Sequence, residues 1–183
     1  KLDGGTLTNN GSISGLNETY DFEEPTVEIL ATNPLTIPPG VTLDISSNQT
    51  MLVNGQLINL SDSTVNIYGN VYTYSSITNG SSGLPGTLNV NYPGKLYLLG
   101  GTLENGDTAS QINVNQGGKL YNYLGDVDIE LGGLELMAGA RFENVRGNNP
   151  TSLTNNFTAN AGSIFIDSSV IILDRDLDVD YTW

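Results

Sequence analysis

The chain has no cysteine and no histidine. The first absence removes disulfides, thiolate metal sites and thiol nucleophiles together. The second removes imidazole acid–base chemistry and the commonest zinc ligand. Basic residues are scarce as well, six against 20 acidic ones, for a net charge of −14. Nucleic acid is therefore disfavoured as a partner, because phosphate recognition needs a basic stripe, and an anionic membrane surface is disfavoured for the same reason. No apolar run approaches the roughly 18 residues that mark a membrane span. No window carries a 3.6-residue apolar period, so helix is not expected. Serine and threonine are abundant, yet no nucleophile elbow, lysine dyad or phosphate loop accompanies them.

What is present is glycine, 22 residues in 183, with a comparable load of asparagine, serine and threonine. That composition suits short strands joined by turns. The chain also repeats itself. Leu88–Tyr97 returns without a gap as Ile112–Tyr121, an offset of 24, and a third copy, Leu134–Glu143, follows 22 later. Each copy is an alternating strand, a small-residue turn and a second alternating strand. Apolar pairs two residues apart recur at Leu43/Ile45, Val65/Ile67, Leu88/Val90, Ile112/Val114, Leu134/Leu136 and Phe157/Ala159, always around a polar residue. Period-two alternation puts each pair on one face and the polar residue on the other.

A return of 22 to 24 residues predicts one coil of a solenoid, with equivalent strands stacking in parallel. The expected fold is all-β, a right-handed parallel β-helix. Residues 1–34 form an irregular N-terminal segment, a cap or exchange arm. Residues 35–172 form the solenoid, and residues 173–183 form a C-terminal alternating strand. Pro38 and Pro39 belong at a corner, since both lack an amide donor. Loops are expected at 81–86 and 146–151.

Several outward groups are candidates for chemistry. Glu104, Asp126, Asp128 and Glu130 gather carboxylates on one outer face, and Asp174, Asp176, Asp178 and Asp180 form a second acidic row. Oxygen clusters of this kind suit Ca²⁺, although no calcium-loop spacing is present, and no cofactor is expected otherwise. Lys95, Lys119 and Arg141 share one repeat position and predict a basic ladder, with Tyr97 and Tyr121 beside it. Such a strip suits acidic sugars or an acidic neighbouring subunit. Leu177, Val179, Tyr181 and Trp183, on the apolar side of the last strand, join it as assembly candidates. Sequons at Asn10, Asn17, Asn48, Asn59, Asn79 and Asn156 are candidate glycosylation sites. The start at Lys1 fits a processed, exported chain.

The lead-in Leu35–Leu43 and the strand Gly86–Val90 resemble the parallel β-helix surface proteins of prokaryotes and viruses. The resemblance is architectural, covers about residues 35–172, and implies an extracellular scaffold, adhesin, sheath or filament subunit, with no catalytic residues. A solenoid has two open ends, and unpaired strand edges invite further pairing. The expected function is therefore a structural subunit of an extracellular homopolymer at the cell surface, its main partner itself. A glycan-binding or tail-fibre module is the second expectation. A polysaccharide lyase or hydrolase is the third, and an enzyme is not expected.

Overall fold

A computed structural model of the chain describes residues 16–19, 26–144, 151–152, 156–167 and 171–172, with side chains at 27–144 and 157–166. All regular structure there is strand. After β1 (Leu16–Thr19) the chain winds through β2 (Thr26–Ile29), β3 (Leu35–Ile37), β4 (Thr42–Ile45), β5 (Thr50–Val53), β6 (Leu57–Asn59) and β7 (Ser63–Ile67). It continues with β8 (Asn70–Thr73), β9 (Ile77–Asn79), β10 (Gly86–Val90), β11 (Lys95–Leu98), β12 (Thr102–Asn105), β13 (Gln111–Val114) and β14 (Lys119–Asn122). It ends with β15 (Asp126–Asp128), β16 (Gly133–Leu136), β17 (Arg141–Asn144), β18 (Thr151–Ser152), β19 (Asn156–Ala159), β20 (Ile164–Asp167) and β21 (Ile171–Ile172).

Every third strand joins the same sheet. Sheet A runs β1-β2-β5-β8-β11-β14-β17-β20, sheet B runs β3 through β6, β9, β12, β15 and β18 to β21, and sheet C runs β4-β7-β10-β13-β16-β19. All pairings are parallel except β1 with β2, which is antiparallel. The molecule is a parallel β-solenoid of about six coils, each of about 23 residues.

The alternation in the sequence explains the cross-section. All six apolar pairs named above lie in sheet C and are buried. Their side chains meet the inward columns of sheet A, Met51, Val71, Leu96, Leu120 and Phe142, and of sheet B, Leu57, Ile77, Leu103 and Val127. Each residue stacks on its register partner one coil away, so the core is a bundle of ladders parallel to the axis. The corner glycines fix how closely coils approach. A Cβ on Gly94 would sit 2.2 Å from the Ile67 carbonyl oxygen, and one on Gly118 would sit 2.1 Å from that of Val90. Both glycines stand directly before a sheet A strand, where the turn is pressed onto the preceding coil.

Two features depart from the expected layout. The parallel stacking already begins at Thr26, because β2 pairs in register with β5, so the first coil draws its first strand from the segment read as irregular. The expected loop at 81–86 carries a Ser81–Leu84 bridge, and its last residue, Gly86, already opens β10. Of the expected loop at 146–151 only Thr151 is described, and it opens β18; the strand at 173–183 lies outside the described residues.

In sheet B one inward column is not apolar. Asn59, Asn79 and Asn105 occupy consecutive register positions of sheet B and are buried. Asn59 Nδ2 donates to Asn79 Oδ1 at 2.8 Å, and Asn79 Nδ2 donates to Asn105 Oδ1 at 2.9 Å. Ser63 Oγ donates to Asn59 Oδ1 at one end, and Asn105 Nδ2 donates to the Gly133 carbonyl at the other. The amides also reach the carbonyls of Thr87, Gly86 and Gln111. The side-chain amides of this column are thus satisfied, as a low-dielectric interior requires.

Candidate functional site

Sheet A carries the most distinctive outer face. In β11, β14 and β17 the residues Leu96, Leu120 and Phe142 point inward, which turns Lys95, Tyr97, Lys119, Tyr121, Arg141 and Glu143 outward. Register places Lys95 against Lys119 and Lys119 against Arg141, so the basic ladder read from the repeat is present. It is also the whole cationic inventory of the described residues. Arg141 is bound through Nε to Glu143 Oε1 on its own strand. Lys95 and Lys119 have no ion pair among the described residues.

Beside the cations runs a stack of tyrosines. Tyr72 and Tyr97 lie 4.6 Å apart at 4°, and Tyr97 and Tyr121 lie 5.0 Å apart at 10°. Tyr123 flanks the last two at 6.5 and 6.1 Å. Tyr72 was not among the sequence candidates. Its signal was available, since Val71-Tyr72 stands where Leu96-Tyr97 stands one coil later. Burial pushes the Tyr97 phenol up to about 12, helped by Tyr72, Tyr121 and Tyr123. Tyr121 is raised by burial first and then by Glu143, with Arg141 opposing. Both phenols therefore stay protonated at neutral pH and present O–H groups. Because the rings lie face on face, Tyr97 offers solvent its edge rather than its face. The strip can bind anions and hydrogen-bond acceptors.

The acidic candidates fall on sheet B. Glu104 and Asp128 are register partners. Thr78 Oγ1 donates to Glu104 Oε1 at 2.8 Å. Burial raises the Asp128 carboxyl above its usual value, and Glu130, Glu104 and Asp126 add to the rise. Among the described residues no three acidic side chains are grouped to hold a metal ion. The row at Asp174, Asp176, Asp178 and Asp180, with Leu177, Val179, Tyr181 and Trp183, lies outside the described residues.

The sequons divide. Asn48 is exposed in the turn between β4 and β5. Asn59 and Asn79 are corrected: both are fully buried ladder residues whose amide nitrogens already donate internally, so the folded chain leaves no access for a glycan. Asn17 and Asn156 lie in β1 and β19, their side chains outside the described set, and Asn10 is outside it altogether.

No protein-family model, curated protein or solved structure matches this chain. Its function therefore rests on its own geometry. Among the described residues no helix is long and apolar enough to cross a membrane.

Proposed function

We propose that the chain is a structural subunit that polymerises through the ends of its solenoid, as an extracellular filament, sheath or surface appendage. The observation that carries this reading is the continuity of register. The same inward and outward columns recur coil after coil, and among the described residues β3, β4, β19, β20 and β21 each have a neighbour on one side only. An unpaired parallel edge is a template for another strand. At the C-terminal end the outer face of sheet A also changes character. Ile164 and Ile166, 45% and 42% exposed, replace the charged residues of β17. Exposed aliphatic groups at a strand edge favour burial against a partner. Heterologous contacts that do not close produce open polymers.

Negative-stain microscopy of the purified chain tests the reading. Long unbranched polymers are expected, and Ile164→Asp with Ile166→Asp should shorten them. Discrete monomers at all concentrations would overturn it.

The tyrosine and lysine strip favours a second reading, binding of an acidic glycan. Its stacked rings leave few faces for sugar stacking, which places this reading behind assembly. Affinity electrophoresis through polygalacturonate checks it: retardation that is lost in Lys95→Glu/Lys119→Glu supports glycan binding, and unchanged mobility rejects it.

A further inference from the structure

The outer charges of sheets A and B match coil by coil. Along sheet A one column reads Asn70, Lys95, Lys119, Arg141. Along sheet B one column reads Thr78, Glu104, Asp128, Ser152. The first coil of this set is neutral on both faces. The next two are cationic on A and anionic on B. In the fourth, Glu143 neutralises Arg141 on sheet A, and sheet B carries a serine. Both columns advance by one parallel strand, a step of about 4.8 Å.

These charges have little compensation within the molecule. The ion pair among the described residues is Arg141 with Glu143, so neither lysine reaches the carboxylates around the corner. Most other described carboxylates accept hydrogen bonds locally. Glu28 takes one from Asn54, Asp44 from Asn66, Asp107 from the Gly83 and Ala109 amides, and Glu135 from Asn160, as Glu104 takes one from Thr78. Asp128 Oδ1, by contrast, has no hydrogen-bond partner. Asp126 and Glu130 deepen the negative field around it.

We infer that copies of this chain pair side by side, sheet A of one against sheet B of the next, with Lys95 facing Glu104 and Lys119 facing Asp128. With the solenoid axes parallel, the matched pattern permits no axial shift and sets contact between unlike faces. A shift of one coil would set a lysine against Thr78 or Ser152 and leave a charge without its counter-charge. This deepens the assembly reading, on which it rests, by naming a lateral contact distinct from stacking at the ends. Two copies of charge −14 repel at long range. Salt near physiological strength screens that repulsion beyond roughly 8 Å and leaves the short-range pairs.

The test separates polymer width from polymer length. The native chain should form bundles wider than one solenoid. Lys95→Glu/Lys119→Glu, and separately Glu104→Lys/Asp128→Lys, should give single narrow polymers of undiminished length. Each reversal should weaken lateral association by more than about tenfold, since opposed like charges are strongly disfavoured at an interface. Mixing the two variants should restore width, because reversed and native faces then alternate. Circular dichroism of each variant establishes that the solenoid is intact. Widths unmoved by either reversal overturn the lateral contact and leave end stacking standing. Absence of polymers of any width overturns end stacking. Sedimentation at low and high salt then decides the lateral contact, and salt-insensitive monomers overturn it. Polygalacturonate binding that responds to the lysine reversal while width does not also overturns it, in favour of the glycan reading.

Discussion

Among the described residues one asparagine ladder runs inside sheet B and another along the outer face of sheet C. Their bonds have the same lengths. Inside, Asn59, Asn79 and Asn105 are linked at 2.8 and 2.9 Å. Outside, Asn66 donates to Asp44 at 2.8 Å, and Asn89 donates to Asn66 and Asn113 to Asn89 at 2.9 Å each. The amides point in opposite directions along the axis. The outer ladder is headed by the Asp44 carboxylate, which draws the donors toward the N-terminal coils. The inner ladder is drawn the other way, by carbonyls at the start of later sheet C strands, those of Thr87, Gln111 and Gly133. The surroundings differ too: the inner residues are buried and the outer ones half-buried. Equal hydrogen bonds therefore contribute unequally. What decides the cost of losing one is whether water can replace it.

Substitutions can break that comparison. The largest effect is expected for Asn79→Ala. It removes the donor to Asn105 Oδ1 and to the Gly86 and Gln111 carbonyls, and the acceptor for Asn59, from a fully buried position. Leaving several buried groups unpaired should cost about 3–4 kcal/mol, read as a fall in the midpoint of denaturant unfolding. Asn89→Ala breaks the same kind of link on the outer face, where water reaches the freed groups, and should cost about 0.5–1 kcal/mol. Equal losses from the two would mean that burial does not set the difference.

A smaller effect sharpens the contrast from the charged side. Asp128 sits where the inner ladder's neighbours are unlike it: burial and three other carboxylates raise its folded pKa above the usual 3.8. A raised carboxyl binds its proton more tightly in the folded chain. Its stabilising contribution is then complete below the ordinary carboxylate value and is lost as pH rises through the raised one. Asp128→Asn should therefore stabilise the isolated subunit at neutral pH, by less than about 1 kcal/mol given its partial exposure, and the gain should vanish in acid. Thermal unfolding at pH 7 and pH 3 checks the sign.

The sequence made the coil legible because packing enforces alternation at every inward position, and Leu88/Val90 and Ile112/Val114 announce it directly. It also made the basic ladder legible, since Lys95, Lys119 and Arg141 keep their repeat position. The inner ladder was hidden by its chemistry. Asn59 and Asn79 read as polar, and so as surface sequons. Yet each stands two residues after an inward Leu57 or Ile77, the same spacing as the apolar pairs of sheet C. Only the pairing of coils shows that these asparagines satisfy one another. Tyr72 escaped notice because its coil differs elsewhere from the repeat. The strand at Thr26–Ile29 offers just Val27 and Ile29 as alternation, too short a signal beside Glu23, Glu24 and Pro25.

The inner ladder also bears on how the protein ages. Asn79 precedes Gly80 and Asn105 precedes Gly106, a pairing prone to deamidation in a free chain because the glycine amide can attack the neighbouring side chain. Here both amides are committed: Gly80 N donates to the Asn59 carbonyl at 2.5 Å and Gly106 N to that of Asn79 at 2.9 Å. The folded chain thus shelters these two asparagines. Once unfolded it loses that shelter, and an aspartate formed at position 79 would have to return as a charge to a fully buried site. Prolonged unfolding becomes a one-way chemical event, and the native coil acts as its own preservative.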